Sequence, residues 1–133
     1  MQLGVAYPTR EVDPSPETVR KFIRAVEELG YQHLLAYDHV VKTPHEDREP
    51  KLTRPYTEKD GFQDPFVFLS FAAAVSETLE FATGVLCLPQ RQTALVAQQA
   101  ADVDLLSSER LRLGDGFIFA ATGQGAVEGW ERI

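Results

Sequence analysis

Short apolar runs alternate with helix-forming segments along this sequence of 133 residues. Residues 2–7, 31–41 and 79–88 are apolar runs, and a proline directly follows the first and the third. Each run has the length and composition of a strand, and helical periodicity of apolar side chains returns after each of them. Strands and helices in this order, with connections long enough for right-handed crossovers, predict an α/β fold with a parallel sheet.

The helices carry recognisable start and stop signals. Ser15 can cap the first helix, Pro16 suits its first turn, and Gly30 closes it. The second helix opens on the Asp-Pro pair at 64–65 and is apolar on nearly every side, which predicts heavy burial. The third helix covers residues 93–106, with a predicted apolar stripe of Leu95, Val96, Gln99, Val103 and Leu106. Residues 42–61 form a long polar connection, and loops of about twenty residues are either functional or disordered.

Composition limits the partners and the location that we expect. The net charge is −7 and the basic residues are scattered, which argues against binding to nucleic acid. One cysteine, Cys87, excludes an internal disulfide and suits a reducing cytosol. No apolar run approaches the roughly 20 residues of a membrane span, and the first residues do not form a signal peptide. We therefore expect a single-domain cytoplasmic protein with no membrane partner.

Asp38 and His39 are the first candidates for chemistry. They lie where the second predicted strand ends, and parallel α/β folds bind ligands at the carboxyl ends of their strands. A histidine there can move a proton near neutral pH, and the adjacent carboxylate can orient it or bind a ligand. A solvated pair at the start of a loop is the alternative. The three histidines lack ligand-like spacing, so no metal site is predicted.

Thr83, Gly84 and Val85 are the second candidate group. A glycine inside a strand costs stability and often marks a bulge or the close approach of a ligand. The alternative is a small residue beneath a bulky neighbour. Neither this stretch nor the turn after the first strand has the glycine fingerprint of a dinucleotide-binding fold.

The segment LRLGDGFIFA at 111–120 contradicts a continuous buried strand. Side chains alternate along a strand, so Asp115 would share one face with Leu111, Leu113, Phe117 and Phe119. A buried carboxylate without a partner is very unfavourable. We expect the strand to break or bulge at residues 114–116, which turns Asp115 toward solvent or a hydrogen-bond donor.

The sequence YDHV at 37–40, together with LPQRQTALVAQQAADVDLLS at 88–107, resembles the luciferase-like oxidoreductases. The resemblance runs from residue 1 to about residue 114. It implies a parallel TIM barrel that uses FMN or the deazaflavin coenzyme F-420. In the deazaflavin branch it places His39 for proton transfer and Asp38 near the coenzyme. It also implies that Thr83, Gly84 and Val85 contact the cofactor, with a non-prolyl cis peptide at Gly84–Val85 behind the deazaflavin ring.

After RLG the sequence departs from the family pattern. Residues 115–133 resemble the eighth strand and the start of the eighth helix of the family, as if strands four to seven were missing. The predicted domain is therefore a single half-barrel over residues 1–133, in which residues 1–114 resemble the N-terminal half. About four strands cannot close a barrel, so dimerisation is expected to cover the open edges.

Two functions stay open at this point. One is a flavin- or deazaflavin-dependent oxidoreductase that performs hydride transfer or monooxygenation on a small organic substrate, impaired by the missing strands. The other is a non-catalytic half-barrel, a relic or an oligomerising, cofactor-binding module. Coenzyme F-420 is the expected cofactor, with FMN as the alternative. The expected partners are a small-molecule substrate and further copies of the chain, and the sequence does not identify the substrate.

Overall fold

The computed structural model describes residues 2–41, 44, 46, 49 and 56–114. Within them the chain forms four strands and three α-helices in alternation. The strands are β1 (Gly4–Ala6), β2 (His33–Ala36), β3 (Glu80–Thr83) and β4 (Leu111–Arg112). The helices are α1 (Pro16–Glu28), α2 (Pro65–Val75) and α3 (Thr93–Leu106), and a short 3-10 helix spans Leu88–Gln90. The predicted break at residues 114–116 and the segment 115–133 lie outside these residues, except for Gly114.

The four strands form one parallel sheet in the order β1-β2-β3-β4, which confirms the predicted α/β class. The register aligns Val5, Leu34, Phe81 and Leu111 in a single row across the sheet. Parallel partners point to the same side, so this row faces the helices and belongs to the hydrophobic core. The sheet therefore has one face covered by α1, α2 and α3.

The opposite face, which we call the inner face, is more open and carries charged side chains. Ala6 and Arg112 are exposed there, and Leu35 and Ala82 are half-buried. Near the amino ends of the strands, His33 Nδ1 lies 3.2 Å from Glu80 Oε2, and Glu80 also pairs with Arg112. These ionic contacts run across β2, β3 and β4, so the inner face is a polar surface as well as an apolar one.

The helix signals in the sequence are confirmed at α1 and α2. The Ser15 hydroxyl oxygen accepts a hydrogen bond from the Thr18 N–H at 3.3 Å and caps α1. Beyond the other end, Gly30 has φ +79°, a left-handed conformation that glycine adopts without a Cβ penalty. Helix α2 buries several of its apolar side chains as predicted, although Val67 is 66% exposed.

Helix α3 has the predicted bounds but not the predicted stripe. Val96 and Val103, seven positions apart on one side of the helix, are buried. Leu95 is 51% and Leu106 is 74% exposed, so the assignment of these two leucines to the buried stripe is wrong. Both side chains stay exposed to solvent within the described part of the chain.

The strands are shorter than their apolar runs. The third run was predicted to be a strand over residues 79–88, but β3 ends at Thr83 and the backbone then bends at Gly84. Farther along, the Cys87 N–H donates to the Asp38 side chain at 2.9 Å, and the Leu88–Gln90 turn follows. Past the bend, Cys87 forms an isolated β-bridge, and a tertiary contact and a turn take the place of a continuous strand. No helix in the described part of the chain is long and apolar enough to cross a membrane.

Tyr7 places a phenol hydroxyl in the hydrophobic core. Its side chain is 2% exposed and packs against Phe22 and Phe68, and its hydroxyl makes no hydrogen bond within the described residues. Desolvation by burial, with a contribution from Asp13, raises the pKa of Tyr7 above 10. The raised pKa means that the folded state resists ionisation, so the stability associated with neutral Tyr7 is complete below about pH 10 and is lost as the pH rises further.

We expect Tyr7→Phe to leave the free energy of unfolding at pH 7 unchanged or to raise it by about 1 kcal/mol, since the buried hydroxyl lacks a partner. The variant should also lose less stability than the wild type above about pH 10. Urea unfolding at pH 7 and at alkaline pH measures both effects. Tyr31→Phe, which alters an exposed phenol, is the matched control. A clear loss of stability at pH 7 would show that the Tyr7 hydroxyl has a partner.

Candidate functional site

The carboxyl ends of the strands form one edge of the sheet, which we call the carboxyl edge. The chain leaves β2 there through Tyr37, Asp38 and His39, and leaves β3 through Gly84 and Val85. All the strands are parallel, so these segments lie at the same edge. The structure thus brings the two groups of predicted site residues to one edge of the sheet, where parallel α/β proteins bind their ligands.

Asp38 is buried and its carboxylate is fully engaged. Its side chain is 1% exposed, and Oδ2 accepts hydrogen bonds from the Cys87 N–H at 2.9 Å and from Arg91 Nε at 2.7 Å. Oδ1 accepts from Arg91 Nη2 at 2.7 Å, which completes a bidentate ion pair. Such paired contacts are among the strongest that a carboxylate makes. The Asp38 side chain therefore anchors the end of β2 to the segment after β3.

Arg91 also holds a second carboxylate. Its Nη2 donates to Asp64 Oδ2 at 2.8 Å, and Asp64 Oδ1 caps α2 by accepting from the N–H groups of Phe66 and Val67. Hydrogen bonds to Asp38 raise the pKa of Arg91 above its already high value, and those to Asp64 add to the effect although burial opposes it. Arg91 remains a cation at every physiological pH. We call Asp38, Arg91 and Asp64 the arginine clamp.

His39 lies in an aromatic cluster with Tyr56 and Phe62. The ring centroids of His39 and Phe62 are 5.1 Å apart, those of His39 and Tyr56 6.1 Å, and those of Tyr56 and Phe62 5.0 Å. The His39 side chain is half-buried in this cluster. Aromatic walls of this kind favour a planar ligand, and a histidine among them can exchange a proton with it.

A cavity of about 270 Å³ adjoins the aromatic cluster. It lies beside the ends of β1 and β2 and is lined by Ala6, Tyr7, Pro8, Thr9, Arg10, Glu11, Tyr37 and Tyr56. Tyr56 belongs to both the cavity wall and the aromatic cluster, so the two features are continuous. Arg10 lies 5.9 Å from the Tyr56 ring centroid and pairs with Asp60 at 2.9 Å. The cavity therefore combines aromatic walls with a cation that already has a counter-charge.

Thr83 and Gly84 have different surroundings. The Thr83 hydroxyl is buried and exchanges two hydrogen bonds with Gly114, donating to its carbonyl and accepting from its N–H, both at 2.8 Å. Gly84 continues the sheet through its N–H, which donates to the Ala36 carbonyl at 2.8 Å. Thr83 therefore fastens the end of β4, and Gly84 and half-buried Val85 begin the turn toward the arginine clamp. The isomer of the Gly84–Val85 peptide stays a prediction.

Gly84 lies beneath bulky protein side chains, which is one of the two interpretations that the sequence left open. A Cβ added there would lie 2.9 Å from Leu35 Cδ2 and 3.0 Å from Tyr37 Cδ1. The bulky neighbours are protein side chains, so this geometry supports the interpretation of a small residue beneath a large one. The absence of a Cβ lets the Tyr37 ring pack against the strand beside the cavity.

We expect Gly84→Ala to lower the free energy of unfolding by about 1–3 kcal/mol, because the new methyl group overpacks against Leu35 and Tyr37. Thermal or urea unfolding measures the loss. Gly61→Ala is the matched control, since a Cβ at Gly61 would meet nothing within 4 Å. Equal stabilities of the two variants would contradict the close approach.

Sequence reasoning missed four residues of the site: Arg91, Asp64, Tyr56 and Phe62. Arg91 stood within the characteristic segment at 88–107 but had no assigned role, and Asp64 was interpreted only as a helix start. The described residues contain no group of three or more His, Cys, Asp or Glu side chains placed to hold a metal ion.

The parallel βα units and the ligand-type site at their carboxyl ends define a portion of a TIM barrel. Residues 1–126 match the model of the family described as luciferase-like monooxygenase, and the chain belongs to that family. No curated protein matches the sequence.

Solved structures support the same fold. A coenzyme F-420-dependent tetrahydromethanopterin reductase from Methanopyrus kandleri has a TM-score of 0.63 and 16% identity over 86% of this chain. A monooxygenase from Streptomyces bottropensis has a TM-score of 0.67 and 24% identity over 90% of this chain. The oxygenating constituent of 3,6-diketocamphane monooxygenase from Pseudomonas putida, in complex with FMN, has a TM-score of 0.65 and 16% identity over 87% of this chain. This chain spans only 26%, 34% and 29% of their respective lengths, so the similarity concerns one part of the barrel.

Proposed function

We propose that this chain forms the cofactor-facing wall of a flavin- or deazaflavin-dependent oxidoreductase that acts on a small organic substrate by hydride transfer or monooxygenation. The aromatic cluster of His39, Tyr56 and Phe62 at the carboxyl edge carries the proposal. It offers aromatic surfaces beside a cavity, together with an imidazole that can donate or accept a proton. Membership in the luciferase-like family supplies the reaction class.

The residues present fit the ring of a flavin-type cofactor better than its phosphate. Planar rings stack favourably on aromatic side chains, and Tyr37 and the aromatic cluster provide them. A phosphate favours cations and free N–H groups. Among the described residues near the cavity, Arg10 is paired with Asp60 and Arg91 with two carboxylates. The phosphate contacts would therefore come from outside this wall.

The cofactor would supply the redox chemistry, and His39 would donate or accept the accompanying proton at a ring nitrogen. Gly84 and Val85 would form the part of the wall beside it. Asp38 and Thr83 would act through the backbone that they fix, since their side-chain oxygens are already engaged by Arg91 and Gly114. We propose coenzyme F-420 as the cofactor and FMN as the alternative; the neighbour from Methanopyrus uses the first and the one from Pseudomonas holds the second.

A non-catalytic half-barrel or cofactor-binding module is the second candidate function. Arg10 and Arg91 already form ion pairs with carboxylates, which favours this second function. Without a free cation to bind its phosphate, the whole cofactor would bind weakly to this wall. In that case the chain would retain the family's ring-facing surface without turnover. The same site would then serve for binding alone.

A titration with reduced and oxidised coenzyme F-420, and in parallel with FMN, tests the proposal. We expect a dissociation constant below about 1 μM for one of them, measured by cofactor fluorescence. The double variant Tyr56→Ala, Phe62→Ala should weaken binding, whereas Tyr31→Ala, at an exposed position outside the cavity, should not. Binding without turnover on any small organic substrate would support the second function. No binding of either cofactor would overturn the oxidoreductase and would support the non-catalytic half-barrel.

We further propose that the functional unit is a cytoplasmic homodimer or larger homo-oligomer built from a single half-barrel domain over residues 1–133. Within the described residues β1 and β4 are the edge strands of the sheet, and Leu105 and Leu106 of α3 are exposed; both features support association, since strand edges and apolar patches are normally covered. Residues 115–133 would contribute a strand and helix similar to the eighth unit of the family barrel.

Light scattering at micromolar concentration is expected to give a mass of at least twice 14.8 kDa. Association through Leu105 and Leu106 should weaken in Leu105→Lys, Leu106→Lys. It should remain in the control Ala25→Lys, Glu28→Gln, which makes the same change in charge at exposed positions of α1. A stable monomer at these concentrations would rule out the homo-oligomer.

A further inference from the structure

The arginine clamp connects to both sides of the aromatic cluster. Asp38, which Arg91 holds through two hydrogen bonds, is the residue directly before His39. Asp64, which Arg91 holds through one, follows Phe62 by two positions. The same guanidinium group thus braces the two chain segments that carry the His39 and Phe62 rings.

We propose that Arg91 is a positioning residue that sets the placement of the His39 ring against Phe62. The proposal deepens the function proposed above and rests on it for its catalytic meaning, because the ring placement affects turnover only if His39 transfers the proton. The placement itself is a property of the free protein. Nothing in the proposal requires Arg91 to touch a cofactor or a substrate.

The geometry favours a shared brace over two unrelated contacts. The Arg91 side chain is 9% exposed, so its position is fixed by the packing around it. The planar guanidinium group can hold two carboxylates at once in fixed directions, which a lysine ammonium group cannot reproduce. Its face also lies 5.7 Å from the ring centroid of Phe66 at the start of α2. Movement of Arg91 would therefore release the end of β2 and the segment before α2 together.

The ring contacts of the aromatic cluster are weaker and less directional than the hydrogen bonds of the clamp. Ring contacts such as those among His39, Tyr56 and Phe62 contribute about 0.5–1.5 kcal/mol each and tolerate several arrangements. The clamp, by contrast, combines charge with defined hydrogen-bond directions. The clamp therefore fixes the relative positions of the two chain segments, and the His39 and Phe62 rings pack in the arrangement that those positions allow.

NMR of the free protein tests the placement directly. The His39 ring carbon-bound protons experience the ring current of Phe62, and His33, which lies on β2 and contacts Glu80, provides an internal reference in the same spectra. We expect Arg91→Lys to shift the His39 resonances and the pH midpoint of their titration while those of His33 stay unchanged. The lysine keeps the positive charge, so a change in His39 would follow from lost geometry.

Asp64→Asn provides a second variant that does not depend on the folding of Arg91→Lys. Asparagine caps helices as well as aspartate, so α2 should remain capped while Arg91 loses one charged partner. We expect a smaller shift of His39 in the same direction. Glu17→Gln, which removes a carboxylate from an exposed ion pair with Lys21 on α1, is the matched control and should leave His39 in place.

The readouts distinguish this proposal from the proposed function. Shifted His39 resonances without cofactor binding would support the positioning role and remove only its catalytic meaning. If the chain binds a cofactor and turns over a substrate, Arg91→Lys should also shift the pH dependence of the rate. That shift should match the shift of the His39 midpoint measured by NMR in the same variant. Unchanged His39 shifts and midpoint in both folded variants would overturn the positioning role.

Discussion

Replacement of Arg91 by methionine is expected to lower the free energy of unfolding by about 3–5 kcal/mol, because the buried Asp38 carboxylate would lose its counter-charge. Methionine retains much of the length and apolar contact of the arginine stem, so the loss reports mainly on the charge. Cys87 N–H would remain as a donor to Asp38, but one hydrogen bond does not replace a bidentate ion pair.

Urea unfolding of wild type and Arg91→Met at pH 7 measures this effect. Arg10→Met is the matched control, since the Arg10 side chain is 45% exposed and exposed ion pairs contribute little. Adding Asp38→Asn to Arg91→Met should recover part of the lost stability, because an amide costs less to bury than an unpaired carboxylate. Equal stabilities of Arg91→Met and Arg10→Met would show that the clamp is not a buried ion pair in solution.

Replacement of His39 by alanine is expected to lower the rate of turnover by a factor of about 10²–10⁴, the usual contribution of a general acid or base. The prediction depends on the proposed oxidoreductase function and on His39 as the group that moves the proton. Cofactor affinity should change far less than the rate, since Tyr56 and Phe62 keep most of the aromatic surface.

Single-turnover kinetics with the bound cofactor separate these two effects. His33→Gln is the matched control, because His33 lies near the amino ends of the strands and contacts Glu80, away from the carboxyl edge. A His39→Ala variant with the wild-type rate would end the assignment of His39 as proton donor or acceptor, whatever its affinity for the cofactor.

The helices and the parallel sheet followed from local signals. Caps such as Ser15 and Asp64 act within a few residues of themselves, so the sequence alone locates the helix starts well. The extent of each strand depends on which neighbour it pairs with, and β3 therefore ends before its apolar run does. The exposure of Leu95 and Leu106 depends on the element packed against α3, which helical periodicity cannot reveal.

The position of Asp38 and His39 at a strand end was predictable, but their surroundings were not. Arg91 is 53 positions from Asp38 and 27 from Asp64, and its role arises only when the fold brings these segments together. Tyr56 belongs to the long connection without periodicity and Phe62 directly follows it, so no sequence pattern linked them to His39. Resemblance to a family indicated Asp38 and His39 as site residues, whereas the contacts show that the Asp38 carboxylate is bound by Cys87 and Arg91.

The sequential order of the sheet has a consequence for how such a chain folds. Within the described part, each strand pairs with the strands nearest to it in the chain, and α2 packs between α1 and α3. The interfaces among these elements therefore join units that are neighbours in the chain. Contacts between neighbouring units close shorter loops than contacts between distant ones, so we expect the early βα units to form their mutual contacts early in folding.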